Sequence, residues 1–415
     1  MASIKEVIHC RVCNSTNLHV FLDLGKMPTP NGFLEKKELS RKEELYPLVV
    51  ANCRDCSLTQ LKYIVNPEIM FRNYLYIPSV SQTRLNNFKQ LAEDAMKRVK
   101  LSSDALIVDV GSNDGSLLTV FKNLGYEVIG VDPAENLVVV AELNGIPTKQ
   151  GYFTEEMAER IKRSKRTASV MFATNVFAHV SNIKEFLLGI HTLLNKEGIF
   201  ISQFPYIIDL LKENQFDTIY HEHLSYFSIH SLLRLAKETD LDIFDIEHSP
   251  LDGGSVKVYW KKKENTKLPV KTKQIQSFLA EEKRLGLFTD KPYNEFAKRV
   301  KKLRISTRQR MDELRKKGKS IVGYGAAAKG NVMLNYFGLG TKVFDYIVDS
   351  TPYKQGKYTP GTHIPIFAET KILETKPDYV LIMAWNFKDE IIKKNHKYSA
   401  TGGKYIVCIP EITIL

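Results

Sequence analysis

Apolar runs of strand length alternate with helical patterns in two separate stretches of this 415-residue chain. The runs lie at 106–110, 127–131, 169–173 and 199–204 in the first stretch, and at 320–324, 343–348, 378–383 and 404–409 in the second. Such alternation is typical of a parallel, doubly wound sheet with helices on both faces. The sequence therefore predicts an α/β protein with two Rossmann-like domains.

The segments outside these sheets divide the chain further. Residues 1–75 mix short apolar runs with Pro and Gly, which favours a small, loop-rich module without a regular sheet. A period of two at Val256, Val258 and Trp260 predicts an edge strand, and charged helices are expected from about 271 to 317. We therefore expect an N-terminal module at 1–75, an α/β domain at 76–250, a joining segment at 251–318 and a second α/β domain at 319–415.

The net charge of +12 is concentrated in one place. Residues 291–320 hold twelve Lys and Arg against three acids, and apolar residues recur there at steps of three and four. This spacing predicts an amphipathic helix with a basic, solvated face rather than a basic groove for nucleic acid. No apolar run approaches the ~18 residues that span a bilayer, and the N-terminus lacks the apolar core of a signal peptide. We expect a cytoplasmic protein without a nucleic-acid or membrane partner.

Four of the five cysteines form two pairs, Cys10-Arg-Val-Cys13 and Cys53-Arg-Asp-Cys56. Each pair places two thiolates on one tight turn, and two such turns complete a tetrahedral zinc site. Four cysteine ligands leave no open position for water, so the predicted role of the metal is structural. The alternatives are a redox pair, which needs only one such turn, or a coincidence of thiols.

A glycine-containing turn follows the first predicted strand of the first α/β domain. It consists of Gly111, Ser112, Asn113, Asp114 and Gly115, and Asp132 ends the next strand. The glycines let the backbone approach a ligand, and Asp132 is placed to bind both hydroxyls of a ribose. Because an acid at the turn repels phosphate, the ligand should be cationic, such as a sulfonium with an amino-acid tail. These residues look like the S-adenosylmethionine site of a class I methyltransferase; the alternative is an ordinary turn capped by an aspartate.

Residues 216–227 crowd two histidines, a glutamate and two tyrosines into one segment. Removing a proton next to a carbonyl requires a base that titrates near neutrality, and a histidine oriented by a carboxylate supplies one. A metal site at His221, Glu222 and His223 is disfavoured, because imidazoles two residues apart point to opposite faces of a strand. The remaining alternative is a set of satisfied polar groups in a core.

These three motifs together resemble one family. A four-cysteine zinc module, the turn Gly111-Ser-Asn-Asp-Gly115 and the run Tyr220-His-Glu-His-Leu-Ser-Tyr-Phe227 are similar to those of the zinc-containing, S-adenosylmethionine-dependent C-methyltransferases of nucleotide-linked deoxysugars. Further matches lie at 74–81, 174–180, 204–206, 253–255, 323–331 and 354–361, so the resemblance covers nearly the whole chain.

The resemblance assigns roles to individual residues. It implies that His223 is the base, that Tyr220 and Glu222 are its neighbours and that Tyr76 is a further active-site phenol. It also implies that Asn175 belongs to the cofactor site. The residues it implies for substrate binding are His179, Tyr206, Lys329, Asn331 and Lys354. Residues 323–330 form a glycine- and alanine-rich turn that is suited to cradle a diphosphate, or else a tight turn chosen for packing.

The expected activity follows from the resemblance. It implies methyl transfer from S-adenosylmethionine to carbon 3 of a nucleotide-linked 4-keto-6-deoxyhexose, with His223 removing the proton next to the ketone. Two alternatives stay open, namely a zinc-ribbon RNA methyltransferase and a non-catalytic nucleotide-sugar binding protein. Whether Tyr220 and Glu222 orient the imidazole or stabilise an enolate oxygen is also open.

Overall fold

The structure, a computed structural model, describes residues 3–72 and 74–415. Three sheet-based units share one continuous hydrophobic cluster that runs from the N-terminal module to the C-terminal sheet. This arrangement confirms the predicted α/β architecture. Among the helices of the described residues, none has both the length and the apolar character needed to cross a membrane.

The N-terminal module is built on an antiparallel sheet, so the prediction of a loop-rich segment without a regular sheet is wrong. Its strands lie in the order Ser225–Tyr226, Thr59–Leu61, Tyr46–Cys53 and Leu18–Met27, and a separate pair joins Ile4–Glu6 to Tyr63–Val65. Register shifts after Val20 and Asp23 interrupt the longest strand, which hides its period of two. The fourth strand comes from residues 225–226, so the module is completed by a segment far along the chain.

The central sheet has seven strands, and its order reverses beside Leu106–Val110. From edge to edge the strands are Leu241–Ser249, Ser255–Lys262, Leu194–Pro205, Ala168–Thr174, Leu106–Val110, Glu127–Asp132 and Thr148–Gln150. The surrounding helices are Pro67–Phe71, Gln82–Arg98, Ser116–Asn123, Glu135–Leu143, Glu155–Ser164, Ile183–Leu193, Ile207–Lys212 and Ile229–Glu238. At the reversal the connections diverge, which leaves a crevice at the carboxyl ends of the strands, where α/β proteins bind ligands.

The strand Ser255–Lys262 corrects one expectation. It lies between Leu241–Ser249 and Leu194–Pro205, antiparallel to both, and is therefore not an edge strand. The period of two is real, but the alternating lysines are buried instead of solvated. The Lys257 Nζ atom lies 2.6 Å from Asp94 Oδ2 and 2.8 Å from Glu247 Oε2.

Two charged helices, Thr272–Leu285 and Lys291–Lys316, connect the central sheet to the C-terminal one. The second is the predicted amphipathic helix, and its buried side includes Phe296, Val300, Leu303, Thr307, Met311 and Leu314. The predicted spacing is thus confirmed, and the lysines and arginines between these positions face outward for the most part.

The C-terminal sheet has five parallel strands and one antiparallel strand. Their order is Ile366–Phe367, Ile347–Val348, Ile321–Tyr324, Tyr379–Ile382, Lys404–Val407 and Thr413–Ile414. The helices are Ala328–Phe337, Lys371–Thr375, Lys388–Lys394 and His396–Ala400. Short 3-10 helices along the whole chain lie at Lys36–Glu38, Pro78–Val80, Phe177–His179, Phe216–Thr218, Leu251–Gly253, Pro352–Lys354 and Trp385–Phe387.

Candidate active site and metal centre

The two cysteine turns bring four sulfur atoms together in the N-terminal module. Cys10 Sγ lies 3.4 Å from Cys56 Sγ, Cys13 Sγ lies 3.5 Å from Cys53 Sγ, and all four atoms lie within 4.8 Å of one another. Sulfurs that surround zinc tetrahedrally at ~2.3 Å are spaced by ~3.8 Å. The four residues therefore fit a closed structural zinc site.

A cavity of about 620 Å³ lies at the carboxyl ends of the central strands and extends to the C-terminal sheet. The predicted site residues that line it are His223, Tyr220, Tyr76, Gly111, Ser112, Asn113, Asp132, Asn175, His179, Lys329 and Lys354. The predicted residues that do not line it are Glu222, Asp114, Gly115, Tyr206 and Asn331. One cavity thus brings together the glycine turn, the histidine segment (residues 220–228) and two lysines of the C-terminal domain, Lys329 and Lys354.

The glycine turn packs tightly against the loop that follows strand Ala168–Thr174. Gly111 has φ +70°, and a Cβ atom there would lie 2.2 Å from Val176 Cγ2, so the turn requires glycine. Asp132 Oδ2 accepts a hydrogen bond from the Asn113 backbone N–H at 2.8 Å, and its Oδ1 accepts one from Ala134 N–H at 2.9 Å. Asp132 therefore holds the shape of the turn in addition to lining the cavity.

Asp109, within strand Leu106–Val110, lines the same part of the cavity, and the sequence reasoning gave it no role. It is buried, and its Oδ1 has no hydrogen-bond partner among the described residues. Burial, together with the carboxylates of Asp132 and Asp114, raises its pKa well above the usual range. A cation bound here, such as the sulfonium of S-adenosylmethionine, would favour the ionised carboxylate and lower this pKa again, whereas a phosphate would raise it further. Asp109 could have been found from the sequence, because it is the one charged residue in an otherwise apolar predicted strand.

Asp114 and Gly115, which were predicted to belong to the cofactor site, support the turn and do not line the cavity. Asp114 Oδ1 accepts hydrogen bonds from the backbone N–H of Ser116 at 3.1 Å and from its hydroxyl at 2.6 Å, which satisfies a free backbone donor at the start of helix Ser116–Asn123. Gly115 has φ +79°, and a Cβ there would lie 2.8 Å from Ile146 Cγ1.

His223 is held by both ring nitrogens. Its Nδ1 donates to the Thr218 carbonyl at 2.9 Å, so Nε2 carries the lone pair and accepts from the Tyr220 hydroxyl at 2.7 Å. Burial, followed by the neighbouring His179 and Lys329, lowers the pKa of His223 well below its usual range. The imidazole is therefore neutral at neutral pH, which is the protonation state that a general base requires.

Glu222 faces away from the imidazole and contacts a tyrosine that the sequence reasoning missed. Its Oε2 accepts from the Tyr74 hydroxyl at 2.9 Å, and its Oε1 accepts from Asn31 Nδ2 at 2.7 Å. Burial raises the pKa of Glu222 to about 7 against the opposing effect of these two hydrogen bonds. Of the two tyrosines at 74 and 76, Tyr74 therefore contacts the histidine segment, and Glu222 does not orient His223.

Tyr76 and His179 also line the cavity. The Tyr76 carbonyl accepts a hydrogen bond from Asn113 Nδ2 at 3.1 Å, which ties it to the glycine turn. The His179 ring stacks on Phe71, and its centroid lies 4.9 Å from that of His223. Its Nε2 has no partner among the described residues, and burial lowers its pKa to about 4. His179 is thus a neutral group with hydrogen-bonding capacity left for a ligand.

The two C-terminal lysines differ in their partners. Lys329 Nζ donates to the Asp252 backbone carbonyl at 3.1 Å, a neutral acceptor. Lys354 Nζ donates to the Ala326 carbonyl at 2.9 Å and lies 3.5 Å from Asp349 Oδ2, so its charge is already paired. Among the lysines and arginines of the described residues that line the cavity, Lys329 is the one without a carboxylate within 4 Å, which leaves its ammonium group accessible to an anionic ligand.

Tyr206 and Asn331, which were predicted to bind substrate, make internal contacts and do not line the cavity. The Tyr206 hydroxyl donates to Glu282 Oε1 at 2.8 Å, on helix Thr272–Leu285. Asn331 Nδ2 donates to the Pro30 carbonyl at 2.7 Å. Both side chains join separate units of the fold and are buried outside the cavity.

A buried ion pair in the cavity wall joins helix Gln82–Arg98 to the 3-10 helix Leu251–Gly253, which lies between two strands of the central sheet. Arg84 makes a bidentate pair with Asp252, at 2.7 Å and 3.2 Å, and Asn175 Nδ2 donates to Asp252 Oδ2 at 3.0 Å. Burial acts to raise the pKa of Asp252, but Arg84 and Lys329 overcome it, and the pKa is lowered. Neither Arg84 nor Asp252 was predicted from the sequence. The side-chain amide of Asn175, which was predicted to bind the cofactor, donates its hydrogen bond to Asp252.

Three family models match consecutive parts of the chain. "Putative zinc binding domain" matches residues 10–71, "Methyltransferase domain" matches residues 84–246, and "C-methyltransferase C-terminal domain" matches residues 250–410. The curated C-methyltransferase NovU of Streptomyces niveus is 34% identical over 414 residues, which is 99% of this chain and 98% of the relative. The chain belongs to this C-methyltransferase family. It is an S-adenosylmethionine-dependent enzyme with a zinc-binding N-terminal module.

Solved methyltransferase structures are more distant from this C-methyltransferase. The plantazolicin methyltransferase BpumL in complex with SAH is 14% identical, with TM-score 0.36, and covers 43% of this chain and 84% of its own. The magnesium protoporphyrin IX methyltransferase ChlM of Synechocystis is 12% identical, with TM-score 0.34, and covers 43% of this chain and 83% of its own. The family assignment rests on the full-length relative.

Proposed function

We propose that this C-methyltransferase methylates carbon 3 of a nucleotide-linked 4-keto-6-deoxyhexose. The observation that carries the proposal is the neutral imidazole of His223, which lines a cavity between the Gly111 turn and Lys329. Carbon methylation next to a ketone requires a proton to leave first, whereas methylation of a hydroxyl does not use this carbon acid. A buried, neutral histidine in that position supports the carbon-acid reaction.

His223 removes the proton of carbon 3 through Nε2. The Thr218 carbonyl fixes the ring and stabilises the imidazolium through the Nδ1–H group. A general base contributes ~10²- to 10⁴-fold to the rate, and the low pKa of the free ring is offset when negative charge develops on the substrate.

Tyr220 has a role that changes during this step. In the free enzyme its hydroxyl donates to His223 Nε2. Because Nε2 has a single lone pair, the hydroxyl must leave it when the substrate binds, and it then donates to the ketone oxygen, where the negative charge of the enolate develops as Nε2 takes the carbon proton. A donor such as the Tyr220 hydroxyl stabilises developing negative charge where water is excluded. Tyr74 lines the same region, but its hydroxyl proton is committed to Glu222, so Tyr74 helps to shape the site and does not donate to the enolate.

The cofactor and substrate occupy opposite ends of the cavity in this proposal. S-adenosylmethionine supplies the methyl group; Asp132 binds its ribose, and Asp109 faces its positive charge. Lys329 binds the diphosphate of the sugar nucleotide. The units 1–75, 76–250, 251–318 and 319–415 then serve as zinc module, methyl-donor domain, joining segment and nucleotide-sugar domain.

The test combines a binding screen with a labelling experiment. Thermal shifts are measured with S-adenosylhomocysteine, thymidine diphosphate, guanosine diphosphate and a short RNA, and the nucleotide that binds selects the keto sugar. That sugar is incubated with the enzyme and ¹³C-methyl-labelled S-adenosylmethionine. A labelled methyl bonded to carbon 3 supports the proposal. A methyl on oxygen, or stabilisation by RNA instead of a nucleotide, would reject it.

A further inference from the structure

The N-terminal module contacts the histidine segment, here residues 220–228, at several consecutive points. His221 Nε2 lies 3.1 Å from the Tyr46 carbonyl, and the Ser228 hydroxyl lies 2.6 Å from the Ser57 hydroxyl. Asn31 holds Glu222 as described above. In addition, Ser225 and Tyr226 pair with Gln60 and Thr59 as a strand of the module's sheet. The segment that carries His223 is therefore folded onto the module that carries the four cysteines.

One of these contacts begins inside a cysteine turn. Arg11, between Cys10 and Cys13, donates from Nη1 to the Leu224 carbonyl and from Nη2 to the Leu61 carbonyl at 3.3 Å. The Leu224 carbonyl also accepts the Leu61 backbone N–H at 3.0 Å. Leu224 directly follows His223, and its carbonyl belongs to the peptide group between Leu224 and Ser225, so the guanidinium fixes the backbone one residue beyond the histidine, while the Thr218 carbonyl fixes the ring.

We propose that Arg11 is a positioning residue that couples the fold of the metal-binding turn to the orientation of His223. The inference rests on the proposed role of His223. Removing the guanidinium leaves the hydrogen bond from Leu61 N–H to Leu224 in place, so the strand pairing of the segment persists. The variant loses the second donor to the Leu224 carbonyl, which limits the tilt of the Leu224–Ser225 peptide group and, through Leu224, the backbone position of His223.

The second cysteine turn provides a matched control. Arg54 occupies the equivalent place between Cys53 and Cys56, but its guanidinium faces away from the histidine segment. It donates to the two carboxylate oxygens of Asp290 at 2.9 Å and 2.6 Å and is 40% exposed. A substitution at Arg54 therefore removes an arginine from a metal-binding turn without touching the segment.

The experiment compares the full-length variants Arg11→Met, Arg11→Lys and Arg54→Met with wild type. Zinc per chain and the dissociation constant for S-adenosylhomocysteine report on the fold. The ¹⁵N-histidine ring signal of His223, assigned by its loss in His223→Asn, reports on the imidazole without any substrate. Steady-state kinetics with the keto sugar separate kcat from KM.

We expect Arg11→Met to keep its zinc and its cofactor affinity within about twofold, to shift the His223 ring signal and to lower kcat by about 10- to 100-fold at a similar KM. Arg11→Lys, which reaches one of the two carbonyls, should lie in between, and Arg54→Met should match wild type. If Arg11→Met does not fold, the ring signal and kcat of zinc-loaded Arg11→Lys test the inference instead.

Two results would overturn the inference. One is a zinc-loaded Arg11 variant with an unchanged ring signal and unchanged kcat. The other is an equal loss in the Arg11 and Arg54 variants, which would show a general effect on the metal-binding turns. Should wild type fail to methylate the keto sugar, the proposed function fails, and the ring signal still tests the role of Arg11.

Discussion

Replacing Glu222 by Gln should stabilise the protein above neutral pH and at the same time lower its turnover. Glu222 is 1% exposed, and burial raises its pKa from 4.5 to about 7. Each tenfold change in an acid constant corresponds to ~1.4 kcal/mol, so ionisation of this buried carboxyl costs about 3 kcal/mol. Glutamine has the same shape and no ionisation to suppress.

The sign of the effect follows from proton binding. Below pH 4.5 the carboxyl is protonated in both the folded and the unfolded chain. As the pH rises from 4.5 towards 7, the unfolded chain releases this proton and the folded chain keeps it, so the stability that this group contributes is lost. The variant should therefore gain relative to wild type across this window, up to about 3 kcal/mol above pH 7.

The substitution should lower turnover because it changes the hydrogen bond that positions Tyr74. In Glu222→Gln, the amide oxygen of the new side chain accepts from Asn31, and its amide nitrogen then faces the Tyr74 oxygen and donates to it. Above pH 7, where Glu222 of the wild type is ionised, the direction of the hydrogen bond at Tyr74 is reversed and the charged acceptor is lost. Hydrogen bonds to charged groups contribute ~1.5 to 3 kcal/mol, so we expect kcat to fall by about 10-fold or more in this pH range.

The assay is thermal unfolding of zinc-loaded wild type and Glu222→Gln at pH 5 and pH 8.5. The midpoint of the variant should rise relative to wild type by roughly 3 °C more at pH 8.5 than at pH 5. Glu159→Gln, which changes a glutamate at the exposed surface of a helix, is the control and should show no such difference. An equal effect of Glu222→Gln at both pH values would refute the raised pKa.

Two further predictions concern the metal and the cofactor. Native protein should contain about one zinc per chain, and Cys10→Ser or Cys53→Ser should unfold or aggregate the N-terminal module, because metal binding supplies its folding free energy. Protein that contains no zinc by metal analysis and bridged cysteines instead would contradict this. Asp132→Asn should raise the dissociation constant for S-adenosylmethionine by about 10-fold or more in calorimetry, since it weakens charge-assisted hydrogen bonds. Unchanged binding would mean that the ribose lies elsewhere.

Regular periodicity explains what could be predicted from the sequence. The strands at 106–110 and 127–132 are buried apolar runs, and the helix Lys291–Lys316 has its apolar residues at regular steps. The cysteine turns were predictable because ligand spacing within each turn is local. In contrast, the N-terminal sheet uses a strand from residues 225–226 and has register shifts, and neither leaves a local pattern.

The site was predicted less completely, because sequence motifs do not show which way a side chain points. Tyr206 and Asn331 lie in matching motifs but face other units of the fold. Arg84 and Asp252 meet across 168 positions of the chain, and no pattern in the sequence joins them. Glu222 is adjacent to His223 in sequence, yet its carboxylate contacts Tyr74.

The assignment of His223 as the base is the central claim, and the variant His223→Asn tests it most directly. Asparagine occupies similar space and cannot accept a proton near neutral pH, so the variant should bind S-adenosylhomocysteine and the nucleotide diphosphate as wild type does. Its kcat for methylation of the keto sugar should fall by ~10²- to 10⁴-fold. Turnover close to that of wild type, with both ligands bound, would contradict the account and move the base to Tyr74 and Glu222.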